Sequence, residues 1–208
     1  MPVGSTSAMG LYGSPMPRDT HQVEAAFVQR LQAGEEQAFR ELLVRWQRPI
    51  LSFVYRMTGD ADTAADLAQE VFVRVFRKIG EFRLRPGRAS FSTWLFQIAR
   101  NAALDQQRQR RRHPSESLEV LEEAAGALAS TARSPEALAL SGEMGREIAA
   151  AVAALPEDQR AALILAEYQE LPVAEIAAVM DCSEKSVESR LYRARQTLRQ
   201  GLRHLLEG

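Results

Sequence analysis

A single cysteine, Cys182, stands among the 208 residues. One thiol cannot build an intrachain disulfide framework, and such scarcity fits a reducing compartment. Its place, between Asp181 and Ser183 after an apolar run, suits a small buried hydrophobe in a turn. Histidine is nearly as rare. His21, His113 and His204 lie in a tail, at a domain edge and near the C-terminus, so no metal site or nucleophile–base pair can be assembled from them. Neither catalytic residues, a metal nor a cofactor is expected, and the chain does not read as an enzyme. Long apolar runs are absent too: nothing approaches the ~20 residues of a membrane span. The first twenty residues are rich in Gly, Ser and Pro and lack the apolar centre of a signal peptide. Residues 1–21 are therefore expected to be a disordered tail on a cytoplasmic protein with no membrane insertion. Net charge is also nearly missing, at −1, so any nucleic-acid face must be locally concentrated.

What the chain does have is helical periodicity, with no convincing strand, and an all-α fold follows. Val23, Phe27 and Leu31 begin a first helix that Gly34 ends. Phe39, Leu42, Leu43, Trp46, Ile50, Phe53, Val54 and Met57 keep helical spacing up to Thr58-Gly59. Pro49 lies within that run and is expected to kink or divide it. Asp60 and Asp62 open a third helix with a wide apolar stripe: Ala64, Leu67, Ala68, Val71, Phe72, Val75, Phe76 and Ile79. Its other face carries Asp66, Gln69, Glu70, Arg74 and Arg77. Beyond a Pro-Gly turn, Ser90 or Ser92 can cap FSTWLFQIARNAALDQQRQRRR. In that helix Arg100, Arg108, Arg110, Arg111 and Arg112 face only Asp105 as a counter-charge. A block of like charges is commonly a solvated tail. Here it continues an amphipathic helix, which favours a ridge that tracks phosphates.

His113-Pro114 ends that helix. Residues 113–147 are rich in Ala, Ser and Glu without sustained apolar period, and are expected to be a flexible acidic linker with a transient helix near Leu118 to Leu128. Helical pattern returns at Ile148. Leu155-Pro156-Glu157-Asp158 is a start signal, and Ala161, Ile164, Leu165 and Tyr168 form the expected buried face. Two small helical domains, 22–112 and 148–208, are thus expected.

The most informative stretch runs from Leu171 to Leu198. Val173, Ile176, Ala177 and Met180 recur at i, i+3, i+4, i+7; Asp181-Cys182 breaks the run; Ser183 is a good N-cap with Glu184 behind it. Val187, Leu191, Ala194 and Leu198 form one stripe of the second helix. The opposite face shows Lys185, Ser189, Tyr192, Arg193 and Gln196, flanked by Arg190, Arg195 and Arg199. Two helices, a short turn and a polar, cation-rich second helix are the parts of a helix-turn-helix.

On these residues the chain resembles the bacterial extracytoplasmic-function (ECF) group of sigma-70 family sigma factors. AEIAAVMDCSEKSVESRLYRAR is similar to that family's −35 reader, DLAQEVFVRVFRKIGEF to its polymerase-binding helix, and FSTWLFQIARNAALDQQRQ to its −10 recognition helix. The three occur in the family's order and cover most of residues 35 to 200. The resemblance implies a factor that binds core RNA polymerase, at its clamp helices and flap, directs it to promoter DNA and promotes DNA opening. It implies polymerase contacts at Asp66, Gln69, Glu70 and Phe72. It places Phe82 and Asn101 at a base flipped from the −10 strand, where an aromatic face can stack and an amide can read an edge. Trp94 can be a melting wedge, although its stripe with Leu95 and Ile98 favours core packing. Arg100, Arg108, Arg110 and Arg111 would follow phosphates. Lys185, Ser186, Glu188, Ser189, Tyr192 and Arg193 would meet the −35 element. Where many relatives carry Gly-Thr before the valine and a basic residue after it, this chain has Lys185-Ser186 and Glu188. An acid there can accept from a cytosine amino group, so an altered −35 preference is expected. The resemblance also implies an anti-sigma factor as partner, and no appended sensory domain is expected.

Two other readings compete. A stand-alone helix-turn-helix regulator would explain residues 150–208 but leaves the first domain without purpose and needs a dimerisation surface. A helical interaction protein that binds no DNA would make both arginine faces mere solvated surface.

Overall fold

The computed structural model describes residues 20–84, 90–112 and 143–206, and all regular structure among them is helical. Helix α1 spans Thr20–Gln32, α2 Glu36–Thr58 and α3 Ala61–Lys78, followed by a 3₁₀ turn at Ile79–Glu81; α4 spans Phe91–Arg112. The second half holds α5 (Glu143–Ala153), α6 (Glu157–Glu167), α7 (Val173–Met180), α8 (Glu184–Gly201) and the short α9 (Arg203–Leu206).

Local chemistry sets the boundaries. Gly59 takes a left-handed conformation at φ 75° and closes α2 with its N–H on the Tyr55 carbonyl, a geometry that costs glycine nothing. Asp60 caps α3, its carboxylate accepting from the Thr63 N–H at 2.7 Å. Ser90 rather than Ser92 caps α4, accepting from the Thr93 N–H at 3.1 Å. Pro49 does not divide its helix: α2 runs unbroken across it. The lost backbone bond is offset by the apolar side chains beyond it, since Ile50, Phe53, Val54 and Met57 are all completely buried.

Helices α2, α3 and α4 pack against one another as a bundle, and α6, α7 and α8 do the same. Arg30 fastens α1 to α2, donating to both oxygens of Glu41 at 2.8 and 3.0 Å and to Glu35 at 2.9 Å. These hydrogen bonds hold the Glu41 carboxyl below its ordinary range and raise the Arg30 guanidinium. Gln32 donates its side-chain amide to the carbonyls of Ile79 and Phe82 at 2.9 and 2.8 Å, fixing the chain as it leaves α3.

The two halves are not separate bodies. One apolar cluster runs from Val28 and Leu31 through Phe53 and Phe96 to Ile164, Ile176 and Leu191. Helix α4 lies against α7, and α2 against α5 and α6. The two helical domains are present, but they share a core. Helix α5 starts at Glu143, inside the stretch expected to be linker. The rest of that linker, its expected transient helix and most of the N-terminal tail lie outside the described residues.

Two aromatic expectations need correction. Phe76 is 63% exposed instead of buried; its ring meets Phe39 of α2 at 5.0 Å and has no other aromatic neighbour among the described rings. The α3 stripe is therefore narrower than its periodicity suggests, with Phe76 at its rim. Tyr168 is exposed as well. It ends α6 under the guanidinium of Arg56, which sits 3.6 Å from the ring centroid and covers it as a cation–π partner.

Candidate nucleic-acid and partner interface

Three faces carry the residues singled out by sequence. On α3, Asp66, Gln69 and Glu70 are all exposed and share one face, at i, i+3 and i+4. Glu70 pairs with Arg74 at 2.6 Å along the helix. Phe72 is only partly buried, packed against the core beside this face. Val73 and Phe76 continue the same surface and are both exposed. Sequence reasoning assigned Phe76 to the core and gave Val73 no role. Their position next to the acidic residues makes this an apolar and acidic patch, the mixed composition that suits a protein partner.

On α4, Trp94, Asn101 and Arg108 lie at i, i+7 and i+14, on one outward stripe. Asn101 and Arg108 are exposed and Trp94 is half-buried. Phe82 lies beneath Trp94, 7% exposed, with ring centroids 4.6 Å apart and a tilt of 31°. Phe91 meets both rings at 5.8–5.9 Å. Phe82, expected at an extruded base, thus stacks on Trp94 here, and Trp94 packs against the core.

The arginines of α4 point in several directions. Arg100 is 13% exposed and pairs with Asp158 of α6 at 2.8 Å. Arg110 donates to Thr63 and lies 3.5 Å from Asp60, over the start of α3. Burial pushes the Asp60 carboxyl up, but the hydrogen bonds from Thr63 and the nearby Arg110 charge outweigh it and hold the carboxyl below its ordinary value. Arg111 pairs with Glu157 at 2.7 Å, and Arg108 stands 3.6 Å from Asp105. A single ridge of free cations is therefore not what α4 presents.

The third face is on α8. Ser183 caps the helix, its hydroxyl accepting from the Ser186 N–H at 3.2 Å. Asp181, in left-handed conformation at φ 50°, ends α7 three residues before α8 begins. That tight reversal sets the two helices of the motif against each other. Val187, Leu191 and Ala194 are buried inward. Lys185, Glu188, Ser189, Tyr192 and Arg193 are exposed together on the outward face, Ser186 lies half-buried at its edge, and Tyr192 is 68% exposed. The flanking arginines differ among themselves. Arg195 pairs with Glu167 at 2.7 Å. Arg190 turns inward, donating to Cys182 Sγ at 2.9 Å and to Asp158 at 3.0 Å.

Among the described residues no group of His, Cys, Asp or Glu is arranged to hold a metal ion, and no helix is long and apolar enough to cross a membrane.

Comparison with known proteins matches two separate stretches of the chain. The Sigma-70 region 2 family model matches residues 42–113, and the Sigma-70, region 4 model matches residues 145–198. The RNA polymerase sigma-H factor of Pseudomonas aeruginosa is 36% identical over 191 residues, covering 90% of this chain and 97% of that protein. The ECF RNA polymerase sigma-E factor of Escherichia coli K12 is 38% identical over 180 residues, covering 84% and 92%. Among solved structures, RpoE of Bartonella quintana, in complex with the anti-sigma factor NepR, superposes with a TM-score of 0.59 at 26% identity, covering 79% of this chain and 96% of that one. CnrH, in complex with the cytosolic domain of CnrY, shares the fold with a TM-score of 0.64 at 22% identity, covering 87% and 97%.

Proposed function

This chain belongs to the sigma-70 family, as a promoter-recognising sigma factor of the ECF group, and on that premise we propose which of its surfaces does what. The acidic face of α3, with Asp66, Gln69, Glu70 and Phe72, binds the clamp helices of core RNA polymerase, and the exposed Val73 and Phe76 extend that contact. The outward stripe of α4 meets the −10 element: Asn101 reads a base edge, Trp94 and Phe82 supply aromatic surface once a base is extruded, and Arg108 takes phosphate. Arg100, Arg110 and Arg111 join it only after leaving their present carboxylate and hydroxyl partners. The first domain, residues 22–112, thus serves the polymerase and the −10 element, and the second, residues 148–208, serves the −35 element.

Helix α8 enters the major groove with Lys185, Ser186, Glu188, Ser189, Tyr192 and Arg193. Arg193 and Lys185 supply phosphate affinity. Glu188 accepts from a cytosine amino group, because an acid facing phosphate would only be repelled. The single observation that carries this reading is the outward face of α8. Lys185, Glu188, Ser189, Tyr192 and Arg193 are exposed together while Val187, Leu191 and Ala194 of the same helix are buried. An anti-sigma factor, like the one bound by the Bartonella relative, would compete for these surfaces. Sigma factors are not enzymes; bond-making belongs to the polymerase.

The experiment is co-purification of core polymerase with this protein, followed by selection of duplex DNA by the complex. Enrichment of one −35 sequence, lost in Tyr192→Ala and retained at uniformly weaker binding in Arg193→Ala, is the expected result. A complex that forms but selects no sequence would remove α8 from the role given to it.

A further inference from the structure

Helix α1 touches both ends of the connection between α3 and α4. Its inward row repeats at i, i+3, i+4, i+7 and i+8: Glu24, Phe27, Val28, Leu31 and Gln32. Val28 and Leu31 are buried in the core, and Phe27 packs against it. The two polar residues at the ends of the row reach backbone. The Glu24 carboxylate accepts from the N–H of Phe91, the first residue of α4, where the free donors of a helix start favour an anion. The Phe27 ring meets that of Phe91 edge-on at 5.8 Å. At the other end, one amide nitrogen of Gln32 donates to two carbonyls, those of Ile79 at 2.9 Å and Phe82 at 2.8 Å.

Those carbonyls bracket the 3₁₀ turn: Ile79 opens it and Phe82 follows it. Arg83 also donates to the Phe82 carbonyl, at 2.9 Å, and to that of Gly80 at 2.7 Å, but Arg83 belongs to the same segment and moves with it. Gln32 ties the turn to a different helix, 50 positions earlier in the chain. The ring of Phe82 is held from the other side, by Trp94 at 4.6 Å and Phe91 at 5.9 Å. A base that takes the place of Trp94 removes part of that second hold, and the backbone contact to α1 remains. Stacking needs that anchor, since a displacement of about 1 Å is enough to spoil a productive geometry.

We propose that Gln32 is a positioning residue for the −10 site, fixing Phe82 from α1 so that its ring keeps its place when an extruded base replaces Trp94. The proposal rests on the reading of Phe82 given above, as aromatic surface for that base. Gln32 touches no DNA and acts through Phe82. A mere helix-end contact would act differently. Gln32 is exposed, so without its amide both carbonyls turn to water and little stability is lost.

The test uses holoenzyme assembled from core polymerase and the full chain. Its probes are single-stranded oligonucleotides with the −10 sequence of a start site that depends on this protein, intact or abasic at one position. The ratio of the two affinities measures what each base contributes, and a general loss of folding or of core binding cancels from it. One position is expected to lose about tenfold when abasic, and Phe82→Leu to remove most of that penalty. Gln32→Met keeps the length and removes the donor. It is expected to cut the penalty at that same position to about twofold, with the other positions and Tm nearly unchanged. Gln32→Lys, which restores a donor, is expected to bring the penalty back. Gln32→Ala serves if Gln32→Met proves unfolded by circular dichroism. An intact penalty in the folded variant, an equal fall at every position, or a Gln32→Lys as deficient as Gln32→Met would overturn the positioning role. If Phe82→Leu removes the penalty and Gln32→Met does not, only Gln32 loses its part. If Phe82→Leu leaves the penalty intact, the reading of Phe82 falls and the proposal with it. If no start site depends on the protein, the sigma-factor reading falls as well.

Discussion

The ring of Phe82 lies 4.6 Å from that of Trp94, tilted by 31° and nearly closed off from water. Phe82 closes the 3₁₀ turn after α3 and Trp94 stands in the first turn of α4, so the stack ties the end of α3 to the outward stripe of α4. Under the proposed reading, a base that enters here would displace one aromatic ring from the other. Replacing Phe82 by Leu keeps most of the volume and should cost about 1 kcal/mol of stability. Opening of promoter DNA, followed by permanganate reactivity of unpaired thymines, should fall well beyond what that loss explains. Phe82→Ala, by contrast, should cost about 3–5 kcal/mol through the cavity it leaves. Normal opening by a folded Phe82→Leu variant would leave the ring with a packing role only.

Asp60 carries a prediction about pH. Its carboxyl titrates below the ordinary value because Thr63 and Arg110 favour the charged form more than burial opposes it. A carboxyl depressed in the folded state contributes stability that is fully present above its unfolded value, near 4, and is lost as pH falls through the lower folded value. Thermal melts should therefore show the gap between wild type and Asp60→Ala closing as pH drops below about 4. At neutral pH the missing cap should cost about 1 kcal/mol, a fall of roughly 2–4 °C in Tm. A gap that stayed constant into the acid range would count against the cap.

On α3, Glu70→Lys should separate binding from folding. The Glu70–Arg74 pair is a surface contact worth only about 0.3–0.5 kcal/mol, so melting should barely change. Core polymerase binding, by gel filtration of the mixed components, should be lost. Phe76→Ser should weaken the same binding with only a small loss of stability, because the ring is already 63% exposed and its one aromatic contact among the described rings is Phe39. A large drop in Tm for Phe76→Ser would restore that residue to the core.

On α8, Arg193→Ala and Glu188→Gln should behave differently. Loss of a phosphate contact weakens binding to all sequences and reduces the salt slope by about one. Loss of a base-reading carboxylate relaxes preference at one position, worth about 1–3 kcal/mol of discrimination, and should raise affinity for non-cognate DNA. Binding titrations across a salt series, on selected and scrambled −35 duplexes, distinguish the two. Identical behaviour of the variants would remove Glu188 from base readout.

Much of this was legible from periodicity and punctuation. Gly59, Asp60, Ser90, Asp181 and Ser183 mark helix ends by local chemistry, which acts over a few residues and can be read in order. The outward face of α8 was legible for the same reason, since its inward stripe is strictly periodic. Long-range pairing was not. Asp158 reads as a helix-start residue, and nothing nearby says that its carboxylate will meet arginines 58 positions before it and 32 after it. Phe76 and Tyr168 sit on apolar stripes, but a stripe does not say how far round the helix the neighbouring helices extend. Phe76 lies past the edge of that cover, and Tyr168 found a cation instead.

The most direct measurement is run-off transcription by purified core RNA polymerase on a library of promoter fragments, with and without this protein. Start sites that appear only with the protein, and that share two sequence elements at fixed spacing, are the predicted result. Glu70→Lys should abolish them. A polymerase whose start sites are the same in its presence and absence, while the protein alone binds duplex DNA, would contradict the assignment and return α8 to a stand-alone regulator.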